Sequence, residues 1–236
     1  VRFPELDRKT MRRRSLCGFS ERQRVLVEVL LAAGSFRLAE AVRLSGGTPA
    51  LVTHAGVTNR ELALLDLPHE GDPARIAGAL NAFLAARVGD AAPAWARGER
   101  TALDLAPLHL RGAEGVPGGG FLSHRIARPG EQVPARAPRR FGPEALPDAL
   151  VQVCGHVGHR RCAADLGDWV TDAAREAPEG RIRAFTVSDG RARYDVGIPR
   201  FAPGDGVLVM IDGSMDEMPP ETYEVLSVLG VLEVDC

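Results

Sequence analysis

Three short apolar runs in this chain each end in polar residues close to a glycine. They are Ala50–Thr53 before His54-Ala55-Gly56, Val151–Cys154 before Gly155-His156, and Val207–Ile211 before Asp212-Gly213. Apolar runs of this length, bounded by such residues, predict buried strands. Chemistry in α/β proteins gathers at strand tips, because the sheet fixes the backbone while side chains project beyond it. We therefore expect His54 and His156 to belong to one site.

Helices are predicted where capping residues precede apolar residues at helical spacing. The predicted helices begin after Ser20, after Thr58 and after Asp72, and extend to Val42, Leu65 and Val88 respectively. Gly34-Ser35 is expected to interrupt the first helix without ending it. Asp72-Pro73 is an N-cap followed by proline at the first helical position, which is a favoured start.

The last third of the chain is predicted to be rich in strands. Ser188-Asp189-Gly190 separates Arg181–Val187 from Arg191–Val196, and Asp-Gly between two such runs indicates a hairpin. Two closing strands, Tyr223–Leu229 and Val231–Val234, are expected to be broken at Gly230.

The remaining segments lack hydrophobic periodicity. Residues 1–19 form a polar, basic lead, and residues 89–148 are rich in Gly, Pro and Arg, which indicates a long loop region. No internal repeat is visible. We expect one α/β domain spanning residues 1–236.

Composition narrows the class of protein. Of the 236 residues, 45% are hydrophobic and 25% are charged, and the net charge is -2. These values are ordinary for a globular protein and give no electrostatic reason to expect nucleic acid or membrane as a partner. No apolar run approaches the roughly 20 residues of a membrane-spanning helix, the N-terminus lacks an apolar signal segment, and the four cysteines show no framework spacing. We expect a cytoplasmic protein with reduced thiols.

His54 and His156 are the first candidates for metal ligands. Neutral imidazole binds divalent transition metals, and a glycine beside a strand tip lets the backbone turn sharply next to an ion. The alternative is that each ring only satisfies a neighbouring backbone carbonyl. His159 is a third candidate, and it could instead cap a helix starting near Ala163.

Two other interpretations belong to different classes of protein. Four ligands of the kind zinc prefers, Cys154, His156, His159 and Cys162, lie within nine residues and could bind one structural zinc ion. The usual zinc pattern, however, separates two ligand pairs by a longer loop. A binding or scaffold module without metal is the other alternative.

The three strand-tip motifs, Thr53-His54-Ala55-Gly56, Val153-Cys154-Gly155-His156 and Met210-Ile211-Asp212-Gly213, resemble the final motifs of the calcineurin-like metallophosphoesterases in order, spacing and strand context. The resemblance covers roughly His54 to the C-terminus. It implies a sandwich of two mixed β-sheets flanked by helices, here lacking its N-terminal strands. It also implies hydrolysis of a phosphoester by water that a dinuclear Mn, Fe or Zn centre activates.

The same resemblance assigns roles to individual residues. His54 and His156 would bind metal, and His159 would be the further ligand, although it follows His156 by three residues where many members have two. Arg125, next to His124, would bind substrate phosphate, since an arginine fork suits phosphate oxygens. Because arginines are frequent in this chain, the alternative is a solvated surface role for Arg125. The implied substrates are phosphorylated small molecules, nucleotides or phosphoproteins.

The front motifs of that family are absent from this sequence. Asp-x-His, Gly-Asp and Gly-Asn-His should precede His54, but before His54 there is no histidine, no asparagine and only Asp7. A pair of ions about 3.5–4 Å apart needs more ligands than two or three histidines. We therefore expect either a longer gene product or a chain that is catalytically inactive as given.

Overall fold

The computed structural model describes residues 20–69, 71–112, 118–133, 139–198, 200–213 and 218–232. They fall into two compact units, of which the smaller contains residues 20–36 and 85–103 and the larger contains the rest. The predicted polar lead, 1–19, lies outside the described residues. Among the described helices, none combines the length and apolarity that spanning a bilayer requires.

Helices and strands are interspersed along the chain. The helices are α1 (Glu21–Ala32), α2 (Asn59–Leu64), α3 (Pro73–Ala96), α4 (His159–Leu166) and α5 (Asp172–Glu176). The strands are β1 (Ala39–Leu44), β2 (Pro49–Thr53), β3 (His109–Leu110), β4 (Gly119–Gly120), β5 (Arg125–Ile126), β6 (Arg140–Phe141), β7 (Val151–Cys154), β8 (Arg183–Ser188), β9 (Arg191–Val196), β10 (Gly206–Met210) and β11 (Val228–Val231). Short 3-10 turns lie at Pro143–Ala145, Gly167–Trp169 and Pro220–Thr222.

The described part of the smaller unit starts with the predicted capping box. The Gln23 backbone N–H donates to Ser20 Oγ at 3.2 Å, and the Ser20 backbone N–H donates to Gln23 Oε1 at 2.9 Å. These bonds satisfy donors that the first helical turn leaves without an internal partner, so α1 starts at Glu21 as predicted.

The larger unit is built on a seven-stranded mixed sheet in the order β11-β1-β2-β7-β10-β8-β9. Its three central strands, β2, β7 and β10, are parallel to one another. On one side β1 and β11 add antiparallel strands, and on the other side β8 and β9 form the predicted hairpin. The α/β class is therefore confirmed.

Neighbouring residues of the central strands pack in two different apolar clusters, one on each face of the sheet. Leu51 packs with helical residues such as Leu62 and Leu80, whereas its neighbour Ala50 packs with Val153 and other residues of the opposite sheet face. Because successive strand side chains point to opposite faces, both faces of these strands are buried. Continuous apolar runs are what such strands require, and this explains why the sequence predicted them.

Helix α2 begins at a buried capping box. Glu61 is fully buried, and its Oε2 accepts from the Thr58 backbone N–H at 2.9 Å and from Thr58 Oγ1 at 2.5 Å. Arg60 donates to the other carboxylate oxygen at 2.6 Å. The carboxylate is thereby paired and hydrogen-bonded, as a buried charge must be.

One predicted helix boundary is wrong. The first helix ends at Ala32, Gly34 has a φ of +69°, and Ala39–Leu44 form strand β1 instead of continuing the helix. Apolar residues at positions 38, 39 and 42 fit a helical period, but tertiary bonds decide the outcome. Asn81 on α3 donates to the Ala39 carbonyl at 2.8 Å and accepts from the Leu38 backbone N–H at 2.9 Å, where the chain enters the sheet.

Two other segments also differ from expectation. The predicted loop region 89–148 contains the end of α3, which runs to Ala96 with Pro93 inside it, and the short strands β3 to β6. The two predicted closing strands are one strand, β11, which passes through Gly230. Residues 233 and 234 of the second predicted strand lie outside the described residues.

Gly120 tests the packing of the β3–β4 pair. It has a φ of +129°, and a Cβ atom there would lie 2.2 Å from the Leu108 carbonyl oxygen. We expect Gly120→Ala to lower the free energy of unfolding by about 2–3 kcal/mol, because backbone must move to admit the methyl group. Gly130→Ala is the matched control, since Gly130 has a φ of +74° but open space around it, so only backbone strain of about 1 kcal/mol applies. Urea denaturation measures both changes, and equal losses of unfolding free energy in the two variants would contradict the close packing at Gly120.

Candidate functional site

The carboxyl ends of the three parallel strands are level with one another. Thr53 of β2 and Met210 of β10 both lie opposite Cys154 of β7. The Gly155 backbone N–H continues the pairing by donating to the His54 carbonyl at 3.2 Å. Residues that follow directly after these strands therefore meet at one edge of the sheet.

The structure brings His54 and His156 together at this edge. His54 Nε2 lies 3.0 Å from His156 Nδ1, and the ring centroids are 4.8 Å apart in an edge-to-face arrangement. The two residues are 102 positions apart in the sequence. They are the pair that the strand-tip pattern predicted to share a site.

The protonation of His156 follows from its second contact. His156 Nε2 lies 3.1 Å from the Ser123 carbonyl oxygen, which can only accept, so Nε2 carries the proton in that bond. Burial lowers the pKa of His156, and the neighbouring His54 and Arg125 lower it further, against the opposing effect of the Ser123 bond and Asp212. A neutral ring with Nε2 protonated directs the lone pair of Nδ1 towards His54.

The backbone of His156 is strained. It has a φ of +74°, in the left-handed region that a non-glycine residue rarely adopts. Such a conformation costs about 1–2 kcal/mol for a residue with a Cβ atom. Strain of this kind concentrates at functional sites, where the surrounding structure holds a side chain in a required direction.

One turn, Gly120–His124, contacts both histidine-bearing segments. Ser123 supplies the carbonyl for His156, while the buried ring of His124 donates from Nε2 to the Gly56 carbonyl at 2.8 Å. The backbone N–H groups of Ser123 and His124 both donate to the Gly120 carbonyl, which closes the turn. His124 thus fixes the loop after His54 through a contact that no sequence pattern predicts.

Gln152 holds the same loop from the sheet side. Its Oε1 accepts from the Val57 backbone N–H at 2.7 Å, and its Nε2 donates to the Val57 carbonyl at 3.0 Å. Gln152 is fully buried in β7, so these two bonds also satisfy its polar atoms. The loop after His54 is therefore tied to two separate elements.

His159 lies elsewhere. Its ring stacks on Tyr194, with centroids 5.8 Å apart, and its Nδ1 is 3.2 Å from the Tyr194 hydroxyl. Burial lowers the pKa of His159 to about 4, with a further contribution from the charge of Arg183. His159 is the first residue of α4, so the helix begins four residues earlier than the predicted start near Ala163.

The cysteines of the zinc interpretation are buried thiols. Cys154 and Cys162 are free, and burial raises the pKa of both, that of Cys162 to about 12. Cys162 Sγ contacts Met210 Sδ at 4.0 Å inside the apolar cluster. Across the described ranges, no three His, Cys, Asp or Glu side chains form a group that could hold a metal ion. The arrangement therefore does not favour a four-ligand zinc site at Cys154, His156, His159 and Cys162.

Arg125 lies next to the histidine pair. It lines a cavity of about 20 Å³ together with His124, His156 and Arg161, and such a volume holds roughly one water molecule. Arg125 Nε is buried and has no hydrogen-bond partner among the described residues. Burial lowers the pKa of Arg125, and the charges of Arg161, Arg140 and Arg139 add to that effect. The sequence singled out Arg125, and the structure places it beside His156.

The spacing of the two ring nitrogens fits a shared ion. Nitrogens bound to zinc lie about 2.0–2.1 Å from it, so two ligands of one ion are at most about 4.2 Å apart. The observed 3.0 Å is within that limit. Because the described residues provide no third ligand to this pair, they account for only part of a coordination shell.

The strain at His156 gives a test that reverses the usual order of two substitutions. Glycine adopts a left-handed conformation without strain, whereas alanine does not. We therefore expect the free energy of unfolding of His156→Gly to be about 1 kcal/mol higher than that of His156→Ala. Both variants lose the ring and its contacts, so the comparison isolates the backbone. Urea denaturation measures it, and an alanine variant that is the more stable of the two would show that φ at residue 156 is not positive.

Comparison with protein-family models, with curated proteins and with solved structures gives no match to this chain. The likeness to metallophosphoesterases therefore rests on the three strand-tip motifs, and the site is interpreted from its own geometry.

Proposed function

We propose that this chain belongs to a metal-dependent phosphoesterase and that His54 and His156 bind one of its divalent ions. The observation that carries the proposal is the 3.0 Å approach of two imidazole nitrogens from separate strand tips. The order and spacing of the three strand-tip motifs support it, as does Arg125, whose buried Nε has no hydrogen-bond partner among the described residues. On this proposal the seven-stranded sheet is part of a calcineurin-like sandwich.

On this proposal, each residue around the histidine pair has a separate role. The Ser123 carbonyl holds His156 in the tautomer that offers Nδ1, and His124 and Gln152 fix the loop that carries His54. Arg125 would bind phosphate oxygens through its guanidinium group, which is suited to them in shape and charge. The ion, Mn, Fe or Zn, would polarise the phosphoester and lower the pKa of bound water.

The described ligands are too few for a dinuclear centre. Two histidines cannot hold two ions about 3.5–4 Å apart, and the described residues bring no third ligand to them. We therefore expect binding of a single ion and little or no hydrolysis of p-nitrophenyl phosphate by these 236 residues. Tests of the proposal have to measure metal and phosphate binding in addition to turnover.

Metal binding is the first test. We expect Zn²⁺ or Mn²⁺ titrated in a calorimeter to bind with one ion per chain, and His54→Ala or His156→Ala to weaken binding by more than ~10-fold, because a direct ligand is lost. His69→Ala is the control, since His69 is an exposed histidine.

Metal affinity should fall as the pH decreases, because protonated imidazole cannot bind metal. Because the pKa of His156 is lowered, its protonation and the resulting loss of metal affinity should occur at a pH below its ordinary pKa of about 6.5. Equal affinity in all four proteins would refute the shared ion.

Coupling between metal and phosphate is the second test, and it separates a phosphoesterase from a simple metal-binding protein. If phosphate bridges the ion and Arg125, orthophosphate should tighten Zn²⁺ binding by about 5-fold or more, and Zn²⁺ should tighten phosphate binding equally. Arg125→Gln should remove this coupling without weakening metal binding in the absence of phosphate, since it takes a positive charge away from beside His156. Metal binding without any coupling would leave a metal site but contradict the phosphoesterase.

A further inference from the structure

An open groove of about 790 Å³ lies at the end of the central strands opposite the histidine pair. Its walls include the turn between β1 and β2, residues 200–205 before β10, and Val151, the first residue of β7. His54 and His156 follow the other ends of β2 and β7, which run parallel. We call this feature the β1–β2 groove. It belongs entirely to the larger unit and shares no lining residue with the cavity beside His156.

The walls of the groove are held together by backbone hydrogen bonds. The Ser45 N–H in the β1–β2 turn donates to the Ser227 carbonyl at 3.0 Å, and the Ala149 N–H donates to the Gly204 carbonyl at 3.2 Å. Each bond joins segments that are far apart in the sequence. The shape of the groove is therefore set by the fold, as is usual for small-molecule sites.

Most of the side chains that line the groove are apolar. Leu44 and Val151 are buried, Phe201 and Leu226 are half-buried against the same apolar cluster, and Ile198 is exposed. A volume of about 790 Å³ lies within the range of roughly 300–1,000 Å³ that small-molecule sites occupy. An apolar chain in the groove would remove the exposed surface of Ile198 and Phe201 from water, which is favourable.

The charges of the groove select the polar end of such a ligand. Among the described lining residues, only Arg200 and Asp205 are charged. Asp205 is buried, and its Oδ2 accepts from the Ala202 backbone N–H at 2.8 Å. Arg200 is exposed, and it has neither an ion pair nor a hydrogen bond within the part of the chain that the structure describes. One guanidinium group is thus available to an anion, while Asp205 disfavours a second negative charge.

We propose that the β1–β2 groove binds an amphipathic monocarboxylate, with its acyl chain against Ile198 and Phe201 and its carboxylate on Arg200. The planar guanidinium group can donate two parallel hydrogen bonds to one carboxylate. Burial of the chain supplies affinity, and the single charge sets its direction. This site is independent of the proposed phosphoesterase, because the groove and the histidine pair lie at opposite ends of the strands.

The test is binding of alkyl carboxylates to the 236-residue chain, measured by titration calorimetry below the concentrations at which micelles form. We expect decanoate to bind about 5-fold more tightly than octanoate, because two further methylene groups leave water in a groove that is open on one side. Decylammonium has the same chain with the opposite charge, so it should bind about 10-fold more weakly than decanoate.

Two substitutions assign the ligand to the groove. Arg200→Gln should weaken decanoate binding by about 5-fold, and Arg191→Gln is its control, since Arg191 is exposed on β9 outside the groove. Ile198→Glu should weaken binding by about 10-fold or more, because it places a negative charge beside the chain. Its matched control is Ile211→Glu, since Ile211 is 44% exposed against 43% for Ile198 and does not line the groove.

Three results would overturn the inference. They are equal affinities for octanoate and decanoate, decylammonium binding as tight as that of decanoate, and equal effects of each substitution and its control. A second copy of this chain is the competing occupant. A dimer in sedimentation that Ile198→Glu dissociates and decanoate does not would assign the groove to that copy and overturn the inference as well. Metal binding at His54 and His156 is measured separately, so either proposal can fail without the other.

Discussion

The register of the three parallel strands is the constraint on which the site depends. β2, β7 and β10 pair so that Thr53, Cys154 and Met210 are level, and the chain leaves all three strands at the same edge. A shift of one residue would turn every side chain of a strand to the other face and move its apolar residues out of the clusters they fill. Burial on both faces therefore fixes the position of His54 relative to His156 before any contact between the rings.

The central strands could be predicted because they are buried on both faces. Such strands need continuous apolar residues, and Val151–Cys154 and Gly206–Met210 are buried throughout. Local capping chemistry was equally readable, as α1 and α2 show. Strand β1 could not be predicted, because its charged residues, Glu40 and Arg43, are three positions apart, a spacing that also fits a helical period. Its structure depends on pairing with β2 and on the side chain of Asn81, which lies 42 residues away.

The candidate site was predictable in its histidines and less so in its supports. The pair follows two recognisable strand tips, whereas Ser123 contributes a backbone carbonyl, which no side-chain pattern encodes. His124 acts through a backbone carbonyl as well, that of Gly56. The ion pairs around Asp165 were hidden for another reason. Arginines are frequent throughout this sequence, and only the fold brings Arg128 and Arg140 next to Asp165 on α4.

Two local costs in the site argue that it is more than a turn between strand and helix. A turn with no other role is most stable with glycine at the left-handed position, yet this chain has Gly at position 155 and His at 156, where φ is +74°. An arginine at a cavity wall is most stable with a carboxylate, yet Asp165 is engaged by three other arginines and Arg125 Nε has no acceptor among the described residues. Each departure lowers stability by an amount of order 1 kcal/mol or more. Both lie in one small cavity lined by His156 and Arg125. A bound ion would account for the first, because it requires the imidazole to point in one direction, and a single oxygen atom in the cavity would supply the acceptor that Arg125 Nε lacks.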